Sequence, residues 1–189
     1  MTSKSASALT LFIIAGIGFY LPTHPLYVAG IFLLPVGISL ISPKSDLSPH
    51  PTLLRWLRVS GLLTLLTFLS GYWVKSAEAA LSCPAFPGCG EGAFNGVGAW
   101  AQMTHRSLGG LAVLATFKSS VELSKQIPVF QRLARNWIAF SAAQVFLGIG
   151  AVSSIAEGGH SVPHQIAGVL HWTLTSWILV RTQALSLPL

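Results

Sequence analysis

The stretch Trp100–Gly110, WAQMTHRSLGG, lies in an apolar run and yet carries Gln102, His105 and Arg106. Ionisable residues at membrane depth are costly and mark functional sites by default. Whether this run belongs in a membrane therefore decides both the fold and where to look for the chemistry. Composition answers the first point. Of 189 residues, 52% are hydrophobic and only 8% charged, and the mean hydropathy is +0.65. A soluble domain carries about a quarter charged residues, so this is read as an all-α, polytopic membrane protein. The net charge of +6 is assigned to short cytoplasmic loops. No basic patch interleaved with aromatics is present, and nucleic acid is excluded as a partner.

Outward from that stretch, the chain divides into six apolar segments. Ala8–Leu21 and Leu26–Ile41, separated by PTHP, are expected to form an N-terminal transmembrane helical hairpin. No small-residue cleavage site follows GFYLPTHP, so the first segment is read as a retained helix and not a signal peptide. The polar linker SPKSDLSPHP (Ser42–Pro51) leads to four longer segments, near Leu53–Val74, Trp100–Lys118, Leu133–Ser153 and Val162–Leu185. The expected organisation is a hairpin and linker over residues 1–50, then a four-helix transmembrane bundle over 51–189.

Orientation follows from the basic residues. With the N-terminus in the cytoplasm, Lys4, Lys44, Arg55, Arg58, Lys118, Lys125, Arg132, Arg135 and Arg181 fall inside, against Lys75 alone outside. The protein is accordingly placed in the plasma (inner) membrane as a multi-pass protein, with lipid around it. Its outer face holds the loop with Glu157 and His160, and the loop CPAFPGCG. There Cys83 and Cys89 are separated by Pro84, Pro87 and Gly88, in a compartment where disulfides persist. A structural disulfide is expected; the alternatives are a redox-active pair or two unpaired thiols.

The segments starting at Trp100 and Val162 run in the same direction, and each carries histidine in its outer half. A lone intramembrane histidine is often a packing residue. Two on parallel helices suit axial ligation of a haem iron by neutral imidazole. His105 is one candidate, and His164 and His171 compete for the other place, depth alone favouring His171. Arg106 is either a planar partner for a haem propionate or a snorkelling cation. Gly109, Gly110, Gly148, Gly150 and Gly168 permit close helix packing or make room for a macrocycle.

These motifs resemble the haem A synthase family of cytochrome oxidase assembly proteins. The resemblance covers roughly residues 54–179 and rests on GYWVKSAEAALSCPAFPGC, WAQMTHR, QVFLGIGAV and PHQIAG, in that order. Members usually fuse two four-helix halves, and no counterpart is placed for the first fifty residues. The resemblance implies haem ligands at His105 and His164, leaving His171 to packing or support. It also implies that Gln102 stands where a catalytic half carries glutamate, so the chain is similar to the half that holds a b-type haem. Gln102 cannot act as a general base. Two functions follow as expectations. One is oxidation of haem O to haem A for cytochrome oxidase assembly, as a homodimer restoring two halves. The alternative is a non-catalytic haem b subunit, for electron transfer or stability, of a larger respiratory or photosynthetic membrane complex. A haem-free scaffold that keeps the fold is a third reading.

Overall fold

The computed structural model describes residues 38, 49–79, 82–90, 96–153 and 161–182. These are all-helical: α1 Pro51–Ser76, α2 Gly96–Gln126, a 3-10 turn Pro128–Phe130, α3 Gln131–Ser153 and α4 Ser161–Arg181. The expected hairpin over residues 8–41 lies outside the described residues, except Ile38, which is helical and buried against Trp172.

Each helix forms where the apolar segments place it, with ends set by local chemistry. His50 caps α1, its Nδ1 accepting from the Thr52 amide at 3.3 Å, and Pro51 occupies the first turn, where a missing N–H costs nothing. The sequence pattern ends the second segment at Lys118, but α2 continues to Gln126. The extension is rich in good helix formers and meets no breaker before Pro128. It also carries an i,i+4 ion pair, Lys118 Nζ to Glu122 Oε1 at 2.8 Å. The hydrogen bond from Lys118 holds the Glu122 carboxyl below its usual range.

Successive helices pack on one another and α4 returns to α1, closing a ring in which α2 and α4 face each other across the middle. The helix ends are tied in pairs. The His50 amide donates to Gln126 Oε1 at 3.1 Å, and Lys75 Nζ donates to Gln165 Oε1 at 3.3 Å. Arg55, Arg58, Lys125, Arg132, Arg135 and Arg181 thus gather toward one end, opposite the cysteine loop.

At the basic end the interior is apolar: Leu53, Leu57, Leu123, Trp137 and Ile178 are fully buried. Toward the middle it becomes a ladder of hydroxyls. Ser60 and Thr116 share a hydrogen bond at 3.0 Å, Ser119 donates to the Trp56 carbonyl at 2.9 Å, and the Trp137 indole donates to Thr175 at 2.9 Å. Meanwhile Leu62, Leu111, Leu114, Phe117 and Phe146 are exposed. Polar small residues inside and large apolar ones outside invert the pattern of a water-soluble protein and match helices packed in lipid. By length and composition, Pro51–Ser76 and Pro128–Ser153 are apolar enough to cross a membrane. The other two helices carry His105, Arg106, His164 and His171, and those polar side chains lower their apolar character.

Candidate functional site

The ring of helices brings His105 of α2 and His164 of α4 together, their ring centres 6.3 Å apart and their planes at 88°. Each imidazole lies over a glycine of a neighbouring helix. A Cβ on Gly71 of α1 would stand 3.1 Å from His105 Cε1, and one on Gly148 of α3 would stand 3.2 Å from His164 Cε1. Glycine leaves both rings in place, whereas a Cβ at either position would require its ring to yield by a few tenths of an ångström.

The two rings are held differently. His105 Nδ1 lies 3.0 Å from the Thr67 carbonyl oxygen and 3.2 Å from Ser70 Oγ. A carbonyl can only accept, so Nδ1 carries the proton and Nε2 keeps its lone pair, the state a metal ligand needs. Ser70 is itself fixed, donating to the same Thr67 carbonyl at 2.9 Å. His164 Nδ1 is buried and has no hydrogen-bond partner among the described residues. Its backbone is secured by Gln144 Nε2, which donates to the His164 carbonyl at 3.2 Å.

A metal suits this pair on distance. An imidazole nitrogen binds a first-row metal at about 2 Å and the ring centre lies about 1 Å behind it, so two imidazoles on one metal stand about 6 Å apart. Among the described residues no group of three or more histidine, cysteine or acidic side chains could hold an ion. Two imidazoles without further protein ligands would suit a metal already held in a macrocycle.

His171, which depth favours in the sequence, lies elsewhere. It is buried, with Nε2 3.5 Å from Ser141 Oγ. Gln102 is also buried and donates to the Ala79 carbonyl at 3.2 Å, tying α2 to the chain just beyond α1. Of the glycines singled out from sequence, Gly148 supports a histidine and Gly168 faces Gln144 and Phe68, while Gly110 borders open space. Thr67 and Ser70 are additions that no motif marked, whereas Gly71 and Gln144 open the motifs GYWVKSAEAALSCPAFPGC and QVFLGIGAV without having been given a role there. A further sequence signal is the i,i+4 spacing of Thr67 with Gly71 and of Gln144 with Gly148, which sets each pair on one helix face.

Arg106 closes the end beyond the histidines. Its guanidinium donates to the carbonyls of Cys83 at 2.5 Å, Ala85 at 2.6 Å and Gly88 at 2.7 Å, and stands 6.0 Å over the Phe86 ring. Both terminal nitrogens are therefore committed to the loop. Cys83 and Cys89 are joined by a disulfide, and both are buried with Ala99 against Met103. Closing so small a loop contributes about 2 kcal/mol in the chain-entropy model. Alkylation of freshly isolated membranes without reductant is expected to leave both thiols unlabelled, and full labelling to follow reduction. Labelling before reduction would contradict the bridge.

The family model for COX15-CtaA, cytochrome oxidase assembly protein, matches residues 23–176. The chain belongs to this family, which is one of membrane proteins with a haem A synthase-related role. The match begins at residue 23 and so takes in Leu26–Ile41, for which the motifs alone offered no counterpart. None of the curated proteins matches the chain significantly.

Proposed function

We propose that this member of the cytochrome oxidase assembly family holds one b-type haem between His105 and His164 and acts in the haem A branch of oxidase assembly. The observation that carries the reading is the 6.3 Å separation of the two imidazoles across the ring of helices. The protein crosses the plasma membrane several times, as a four-helix bundle over residues 51–189 preceded by a transmembrane hairpin and linker over 1–50. The gathering of basic residues at the end opposite the disulfide supports an outward-facing cysteine loop. Its surroundings are lipid, and a second copy or a larger membrane complex is its partner.

When bound, haem between two histidines supplies one-electron transfer through its iron. The chain's own residues do the rest. Thr67 and Ser70 fix the proton on His105 Nδ1. Gly71 and Gly148 make room for the two rings. Arg106 and the disulfide loop cap the site at its polar end, and Gln102 braces the helix that carries His105. Under this reading haem O is the substrate and haem A the product.

A second reading, a non-catalytic haem b subunit for electron transfer or stability, is favoured by one observation. Gln102 is buried and spends its amide on the Ala79 carbonyl, and an amide cannot take up a proton at neutral pH. One preparation tests both. The purified protein is expected to give the pyridine haemochrome of b-type haem with a low-spin absorption spectrum, and a haem-free preparation would overturn both readings. Expressed in cells that make haem O but lack a haem A synthase, the enzyme would yield extractable haem A, whereas the second reading yields none.

A further inference from the structure

We infer that Lys75 is the cation that receives a carboxylate of the bound porphyrin, an inference that rests on the haem reading above. A porphyrin with propionate side chains carries its carboxylate charges at one edge, and that edge must leave the apolar interior toward water. The His105–His164 pair lies nearer the disulfide end than the basic end, so the charged edge points that way. Among the described residues, the basic groups at that end are Arg106 and Lys75. Sequence alone favours Arg106, which adjoins His105. The structure spends Arg106 on three loop carbonyls at 2.5–2.7 Å, and pairing it with a carboxylate would dismantle the cap.

Lys75 stands where the carboxylate is due. It is four residues beyond Gly71, on the same face of α1, and so about 6 Å further along the axis than the His105 ring that Gly71 supports. Its Nζ donates to Gln165 Oε1 at 3.3 Å, and Gln165 adjoins His164. Lys75 therefore spans α1 and α4 one turn outward of the imidazole pair. An ammonium has three donors, of which the Gln165 bond uses one. The ion pair among the described residues, Lys118–Glu122, is at the opposite end of the molecule. Lys75 is exposed, so its replacement leaves the interior intact.

The full-length protein, produced haem-free and held in lipid nanodiscs, is titrated with protohaem and with its dimethyl ester, following the Soret band. The ester keeps the ring and the iron but loses both negative charges. The wild type is expected to prefer protohaem, and K75A to weaken protohaem about tenfold, the worth of one charge-assisted hydrogen bond, while leaving the ester unchanged. K75R should retain most of the preference. If K75A keeps the wild-type preference, or loses affinity for both porphyrins equally, Lys75 does not receive a carboxylate. If the wild type binds neither porphyrin with a low-spin spectrum, the haem site itself is wrong, and this inference falls with it.

Discussion

Replacing His164 with alanine is expected to convert a six-coordinate, low-spin haem into a five-coordinate, high-spin one, or to remove it. His105→Ala should do the same. The expectation is all-or-none because the pair has no substitute. His171 is seven residues from His164, about 10 Å further along the same helix, and its Nε2 faces Ser141. It cannot move up to the same iron without unwinding α4. His171→Ala should therefore keep the low-spin spectrum, at a stability cost of about 1–3 kcal/mol if Ser141 is left unsatisfied. Absorption and electron paramagnetic resonance spectra of the three variants check the assignment. Haem lost from His171→Ala but kept in His164→Ala would reverse it. Low-spin haem in all three would refute ligation by these helices altogether.

The two single variants should also differ in the apoprotein. His105→Ala strips Thr67 and Ser70 of a shared partner in the helix interior, whereas His164→Ala removes an Nδ1 that has no partner among the described residues. The first should lower apoprotein stability more than the second. Thermal unfolding in detergent measures the difference, which tests the bonding of each ring separately from haem.

Much of this fold was legible in the sequence because lipid leaves a chain few options. Four apolar segments became four helices, and CPAFPGC became a disulfide loop. The helix ends were less legible: the run past Lys118 is polar, so hydropathy stops there, while helix propensity and the Lys118–Glu122 pair carry α2 on to Gln126. At the site, depth pointed to His171 and could not do otherwise, since it measures position along one helix. What seats the rings is Gly71 and Gly148, which come from two other helices and leave no mark near either histidine. Arg106 shows the same limit. Adjacent in sequence to His105, it lies about 100° away around the helix, and that rotation turns it to the cysteine loop.

Gly71→Ala is expected to weaken haem binding much more than Gly148→Ala, although the two cradles look alike. The added methyl would stand 3.1 Å from His105 Cε1 in the first case and 3.2 Å from His164 Cε1 in the second. Both approaches require the ring to yield by a few tenths of an ångström. His164 can do so, because its Nδ1 is tied to no described residue. His105 cannot do so cheaply: tilting it stretches the bonds from Nδ1 to the Thr67 carbonyl at 3.0 Å and to Ser70 at 3.2 Å. Overpacking against a fixed neighbour costs about 1–3 kcal/mol, which is about 5- to 150-fold in haem affinity. Gly→Ala within a helix otherwise favours folding by up to about 1 kcal/mol, so a loss specific to haem cannot be blamed on a weakened α1. Haem titration of the two variants reads the asymmetry directly, and adding Ser70→Ala to Gly71→Ala should recover part of the loss by freeing the ring to tilt. Equal effects in the two single variants would mean that both imidazoles are equally held, and the proton assigned to His105 Nδ1 would then not be what fixes its ring.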